Sequence, residues 1–421
     1  MKIETLYEAY LKCNSISTDT RKINSRCLFF ALKGDNFNGN SFALEALKKG
    51  ARFVVIDEEK YDEHDDCILV DNVLEALQAL ATHHRKVLNI PVIALTGSNG
   101  KTTTKELINA VLSTTYITSA TKGNLNNHIG VPLTLLEFTN DTQIGIVEMG
   151  ANHQKEIEFL SNIALPDYGL ITNFGKAHLE GFGGVEGVIK GKSELYNHLK
   201  SHNKTVFVNE NDLKQIEQIG TYKNTILFGS NISMISAQPF INLEFNNTMV
   251  HTHLTGAYNY NNIAAAIAVG IHFKVDDDFI SKAIENYIPA NNRSQIIEKN
   301  SNQIILDAYN ANPTSMIAAL DNFGSLKEAH KVAILGDMFE LGEAAAFEHQ
   351  AITDYSQKFE IEHIYLVGEN FYKSKSNAPN VSSFLSFEDL KLELTNSPLR
   401  NKYLLIKGSR GMALERVLDV L

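Results

Sequence analysis

The sequence predicts an α/β chain of three units, and three observations carry that expectation. Apolar runs such as VIALTG, IGIVEMG and YGLITNFG are continuous instead of alternating and end in Gly, Asn or an acid, the pattern of strands buried on both faces of a parallel sheet. Stretches with helical spacing lie between these runs, and the same rhythm restarts in the last third of the chain. Finally, 421 residues exceed one ordinary core, since roughly 150 residues per domain suggests about three domains.

Composition bounds the function. A hydrophobic fraction of 44% and a charged fraction of 21% fit a soluble globular protein. The net charge of −11 argues against a general nucleic-acid or anionic-membrane surface, so a bound polyanion must be held by local devices such as backbone N–H nests, a few basic side chains and metal ions. Cys13, Cys27 and Cys67 form an odd set without CxxC spacing and read as reduced thiols of a cytosolic protein. The start, MKIETLYEAYLKC, lacks a signal-peptide core, and no run approaches the ~18 apolar residues of a membrane helix. The expected location is therefore cytoplasmic, without membrane insertion.

The first unit, residues 1–88, has short runs (CLFFALKG, RFVVID, CILVD) around the helical pattern SFALEALKKGA, and reads as a small α/β unit. Its charge run DEEKYDEHDD, from Asp57, reads as a solvated loop. The second unit, 89–288, opens with IPVIALTG and is expected to be a parallel-sheet phosphate-loop domain. The third, 289–421, carries QIILDAYN, KVAILGDM, HIYLVGEN and YLLIKGSRG, each expected to precede a helix in a second, Rossmann-like doubly wound sheet. The Pro and Asn residues of NYIPANNR mark the boundary. In such sheets ligands sit at the carboxyl ends of the strands, where these runs deliver polar residues.

The stretch ALTGSNGKTTTKELI then reads as strand, turn and helix. Its turn, Gly97, Ser98, Asn99, Gly100, Lys101, Thr102 and Thr103, has what a phosphate cradle needs. Glycines let N–H groups approach oxygens, the helix start adds partial positive charge, Lys101 reaches outer phosphates and Thr102 offers a hydroxyl to Mg²⁺. A plain tight turn with a solvated lysine is the alternative, and the order strand, loop, helix disfavours it. Glu148 leaves a buried run, where a carboxylate needs a cation; it either holds Mg²⁺ opposite Thr102 or caps a helix near Asn152. His178 ends the next run in a glycine-flanked loop, which by itself is weak evidence for a ligand. Lys192 in KSELY reads on its own as a solvated helix lysine. Asn126 and Asn127 either turn amides toward phosphate or fix their loop. Asn259 and Asn262, three apart, share a helix face, with capping by Asn259 as the alternative.

The form TGxNGKT, with Leu95 where the longer GxxxxGKT would place its first glycine, resembles the Mur ligases and their folylpolyglutamate synthase relatives. GNLNNHIGVPLTLL and DAYNANP resemble the branch of that family that adds a dipeptide, and STDTRKINSRCLFFALKGDNFNGNSF resembles the family's UDP-sugar-binding domain. The resemblance spans nearly the whole chain. It implies that the three units are a UDP-binding, a central ATP-binding and a C-terminal domain, and that ATP drives ligation of D-alanyl-D-alanine to UDP-N-acetylmuramoyl-tripeptide through an acyl phosphate. It also implies two Mg²⁺ ions on Thr102, Glu148, His178 and a carbamylated Lys192; catalytic roles for Lys101, His178 and Lys192; and nucleotide contacts from Asn127, Asn259, Asn262, Arg293 and Asp307. Tyr258 stands where the family's HNxxN segment has histidine. For the other substrates the implied residues are Thr20, Arg21, Asn38, Asn310, Asn312, Lys407, Ser409 and Arg410. A monomer is the default expectation, as is closure of the third unit on the second.

Overall fold

The computed structural model describes residues 2–290 and 292–421; Asn291, in the NYIPANNR junction, lies outside the described residues. The first unit holds a parallel sheet in the order Ser15–Ser17, Cys27–Phe30, Phe53–Ile56, Cys67–Leu69. Cys27–Phe30 is buried at every position, which explains its unbroken apolar run. Its charge run departs from the expected solvated loop at one residue. The Asp57 side chain is 5% exposed and is fixed by the Asn40 amide, the Val73 N–H and Lys33, because it ties the end of strand Phe53–Ile56 to the start of a helix sixteen residues on. That helix, Val73–Leu88, starts at Asn72, whose side chain accepts from Leu74 and Glu75 N–H, and leads into the second unit.

The central sheet is parallel throughout, in the order Thr225–Phe228, Thr205–Asn209, Tyr168–Ile171, Val92–Thr96, Ile144–Glu148, Thr118–Ala120. Val92–Thr96 is completely buried between the strands that carry Glu148 and the His178 loop, so the three polar strand ends predicted from sequence become neighbours. An antiparallel sheet of Ile232–Ser236, Asn242–Phe245 and Thr248–His251 follows, which the apolar rhythm does not announce.

The last sheet runs Gln295–Lys299, Asn302–Asp307, Tyr403–Lys407, Lys331–Gly336, His363–Val367, Val381–Phe384, with only the first strand antiparallel. The helix expected after YLLIKGSRG is absent. Two 3₁₀ segments stand there, Arg410–Met412 and Leu414–Val420, separated by Ala413 at φ +48°. Leu414 and Val417, three apart, both enter the core, a spacing that suits three residues per turn. Among the described residues no helix is long and apolar enough to cross a membrane.

Candidate active site

The carboxyl ends of the central strands and the facing end of the last sheet enclose a cleft of about 840 Å³. Of the residues singled out in the sequence, Ser98 to Thr103, Asn127, Glu148, His178, Asn259, Asn262, Arg293, Asp307, Asn310, Lys407, Ser409 and Arg410 line it. Gly97, Lys192 and Asn312 stand just behind the wall, and Thr20, Arg21 and Asn38 do not reach it. In the first unit Arg21 folds back onto Asp19 at 2.8 Å, and the Asn38 amide donates to Glu58 at 2.9 Å.

The phosphate loop is held from below. Gly97 and Gly100 have φ of +146° and +79°, conformations that L side chains rarely adopt. Ser98 N–H donates to the Asn173 carbonyl and Asn99 N–H to the Asn173 side chain, both at 3.1 Å, while Thr172 Oγ1 donates to the Asn99 carbonyl at 2.6 Å. Thr172 and Asn173 went unassigned in the sequence, although both are polar residues at a strand end. Lys101 Nζ rests on the loop's own Gly97 carbonyl at 2.8 Å. Burial draws its ammonium below the usual lysine range, and the Glu148 charge opposes that shift.

Glu148 is 2% exposed and its two oxygens are separately engaged, Oε2 by Thr102 Oγ1 and Oε1 by the Asn126 amide, each at 2.8 Å. Its predicted partner Thr102 is thus in place, and Glu148 caps no helix. Asn127 instead fixes its loop, accepting from Ile129 and Gly130 N–H. A buried hydroxyl beside a buried carboxylate is a hard-oxygen donor pair that suits Mg²⁺. His178 adopts φ +53° at the end of its loop, and its Nδ1 lies 2.5 Å from Glu340 Oε2, a close contact without hydrogen-bond alignment. The imidazole holds the Glu340 carboxyl below its ordinary range. Glu340, also at positive φ, was not singled out, since nothing local in ILGDMFELGE marks it. Among the described residues no group of three or more His, Cys, Asp and Glu side chains forms a preassembled metal cluster.

Lys192 is 1% exposed, so it is not the solvated lysine that its sequence alone suggests. Its Nζ donates to the Ala151 carbonyl at 3.1 Å and lies 4.9 Å from the centre of the Phe182 ring. Burial first, then Lys101, pushes its amine well below the usual range. Two residues on, Glu194 accepts from Lys155 and Glu158 N–H at 2.6 and 3.0 Å, pinning this helix to the start of helix Glu156–Ala164.

Beside the phosphate loop, on the same wall, Asn262 accepts from Thr104 Oγ1 and donates to Asn259 at 2.8 Å, joining the two asparagines to the phosphate-loop helix. Tyr258 bonds Ser294 Oγ at 2.8 Å, and desolvation raises the phenol. Arg293 stacks on the Tyr309 ring at 3.5 Å, and its buried Nε has no partner among the described residues, a donor left for an anion. Asp307 is bound to the buried Lys407 at 2.5 Å. Asn312 caps helix Pro313–Ser325 and pairs with Asn99.

A glycine-turned phosphate loop on a parallel sheet, facing a second α/β sheet across a polar cleft, defines a nucleotide-dependent enzyme of the phosphate-loop class. Family models described as the Mur ligase family catalytic domain, the Mur ligase middle domain and the Mur ligase glutamate ligase domain match residues 12–90, 95–270 and 292–409. The chain belongs to the Mur ligase family and is an ATP-dependent ligase. It is 34% identical to the UDP-N-acetylmuramoyl-tripeptide–D-alanyl-D-alanine ligase of Bacillus subtilis (strain 168), covering 96% of this chain and 92% of that one. The ligase of the same name from Escherichia coli (strain K12) is 32% identical over 99% and 95% of the two chains. A crystal structure of MurF from Acinetobacter baumannii superposes with a TM-score of 0.86 at 30% identity, over 99% of this chain and 98% of that one. MurF of Thermotoga maritima in complex with ADP gives 0.84 at 25% identity, over 98% and 97%.

Proposed function

We propose that this chain joins D-alanyl-D-alanine to UDP-N-acetylmuramoyl-tripeptide with conversion of ATP to ADP and phosphate, in the cytoplasm and as a monomer. The observation that carries the reading is the meeting of Lys101, Glu148, His178, Arg293 and Lys407 in one cleft built from two sheets. Such a gathering suits a reaction in which the attacking carboxylate, the phosphates and the acyl phosphate are all anionic.

The terminal carboxylate of the tripeptide attacks the γ-phosphorus and ADP departs, leaving an acyl phosphate. The dipeptide amine then adds to the acyl carbon, loses a proton and expels phosphate. Lys101 moves from the loop carbonyls to the outer phosphates, the N–H groups of Gly100 to Thr103, which Asn173 does not occupy, cradle them, and Arg293 offers its Nε from the far wall. Asn259 and Asn262 support the adenine, and Asp307 the ribose. Thr102 and Glu148 would hold one Mg²⁺; His178 and Lys192, the latter as a carbamate, would hold another. When bound, these ions supply charge neutralisation to the transferring phosphoryl group. An amine sealed against Phe182 and a carbonyl, with no carboxylate within ion-pairing distance among the described residues, suits a lysine that carries its charge only after modification. Lys407, Ser409, Arg410 and Asn310 face the dipeptide, Asn127 orders the loop beside the phosphates, and Thr20, Arg21 and Asn38 serve the UDP end.

A coupled ADP-release assay across UDP-peptides and dipeptides tests the reading. Sustained ADP formation is expected only with UDP-tripeptide and D-alanyl-D-alanine together. Formation that depends on glutamate and folate, and not on the dipeptide, overturns it.

A further inference from the structure

The cleft has one wall on the central sheet and one on the last sheet, and bonds behind the reacting groups seat the second wall on the first. Asn312 Nδ2 donates to Asn99 Oδ1 at 2.7 Å, and the return bond measures 3.4 Å. In the loop that also carries His178, the Lys176 N–H donates to Thr314 Oγ1 at 2.9 Å and the Lys176 ammonium meets the Glu348 carboxylate at 2.6 Å. Gly175 permits this approach. A Cβ there would stand 2.9 Å from the Asn99 amide nitrogen and 3.2 Å from Thr314 Cγ2. The Glu348 side chain is only 8% exposed while that of Lys176 is 45% exposed, so the pair is partly desolvated and stronger than an ordinary surface pair.

We infer that Lys176 and Glu348 are positioning residues: their ion pair clasps the acceptor wall to the nucleotide loops and thereby keeps water from the acyl phosphate. The inference rests on the ligase reading. In coupled turnover the dipeptide amine bonds to the acyl carbon, its proton leaves and phosphate is expelled. If water arrives first, its oxygen bonds to the same carbon, phosphate again departs, and the tripeptide carboxylate is regenerated with one ATP hydrolysed and no amide made. A loosened wall admits water and misplaces the amine, so the clasp governs the partition between these outcomes. Neither residue lines the cleft, which separates this role from those of Lys101 or His178.

The test measures ADP and pentapeptide product in the same reaction, with all substrates saturating, for the full-length wild type, Lys176→Met, Glu348→Gln and the double variant. The wild type is expected to form close to one amide per ADP. Each single variant is expected to raise the ADP-to-amide ratio roughly three- to tenfold. It should also raise KM for the dipeptide while leaving KM for ATP in place. The double variant should be no worse than the poorer single, since both changes remove one interaction. Thr314→Val, which deletes the neighbouring hydroxyl acceptor at similar volume, should shift the ratio the same way and covers the case of a single variant that does not fold. A lowered melting temperature with an unchanged ratio marks the pair as merely structural and overturns the inference, as do strictly additive effects. Wild-type ADP formation that ignores the dipeptide counts against the ligase reading instead.

Discussion

A methyl group added at Gly100 would meet the amide of Asn262: the new Cβ would stand 2.6 Å from Oδ1 and 3.0 Å from Nδ2, on a backbone at φ +79°. Holding an L side chain in the left-handed region costs roughly 1–2 kcal/mol. Asn262 must also swing aside, breaking its 3.0 Å bond from Thr104 and its 2.8 Å bond to Asn259, about 1 kcal/mol each. The backbone cost and the two broken bonds fall on stability, whereas ADP then meets two displaced asparagines, and losing about 1 kcal/mol of contact at each corresponds to roughly a 30-fold weaker complex. Gly183→Ala separates the two, because Gly183 has φ +75° with nothing within 4 Å of the added Cβ. Calorimetric titration with ADP and Mg²⁺ across the wild type and both variants, alongside thermal unfolding, reads both quantities. The reasoning fails if Gly100→Ala binds ADP within about twofold of Gly183→Ala.

Other expectations follow from the same contacts. Glu148→Gln leaves one acceptor oxygen for the Thr102 and Asn126 donors, so it should lose about 1–3 kcal/mol of stability and, in melts with ADP, the extra stabilisation that Mg²⁺ gives the wild type. Asp307→Asn strands the ammonium of Lys407, whose side chain is 2% exposed, at a cost of about 3 kcal/mol in urea unfolding. Adding Lys407→Met to that variant should return part of the loss. Burial and the adjacent His202 bring the His198 pKa down to about 4, whereas an unfolded histidine titrates near 6.5. The unfolded chain therefore takes the proton first: stability is complete above about pH 6.5 and declines as pH falls toward 4. His198→Gln should flatten that slope in urea midpoints between pH 6.5 and 4.5, and an unchanged slope contradicts the assignment. Gly411→Val should push the Phe339 ring, 2.7 Å from the position of its Cβ, into the cleft and raise KM for the dipeptide but not for ATP.

The parts of the site that were legible in the sequence are those compressed into contiguous segments. The phosphate loop could be read because strand, glycines, lysine and helix follow one another within about a dozen residues, and Glu148 because a carboxylate ending an apolar run is costly without a partner. Three adjacent strands of the central sheet were visible for a similar reason, their burial at every position but Tyr168 leaving no polar alternation. The antiparallel sheet from Ile232 to His251 escaped because exposed residues such as Met234, Ile235 and Met249 blur its pattern. The edge strands Gln295–Lys299 and Val381–Phe384 are half exposed and carry little apolar signal. Glu340, Glu348 and Ser294 escaped for another reason: each meets a partner far away in the chain, and no spacing within a segment encodes that meeting. Lys192 shows the limit most plainly, since KGKSELY reads as a polar helix face until Phe182 and Ala151 cover it.

The two walls of the cleft belong to separate sheets; one face of each packs into a core of its own, while their other faces share one continuous core. Substitutions that reshape the surface offered to the incoming amine therefore need not disturb the strands that present the triphosphate. Such a division lets a lineage exchange one acceptor for another while its energy-transducing half stays intact, much as a tool keeps its handle when the bit is changed.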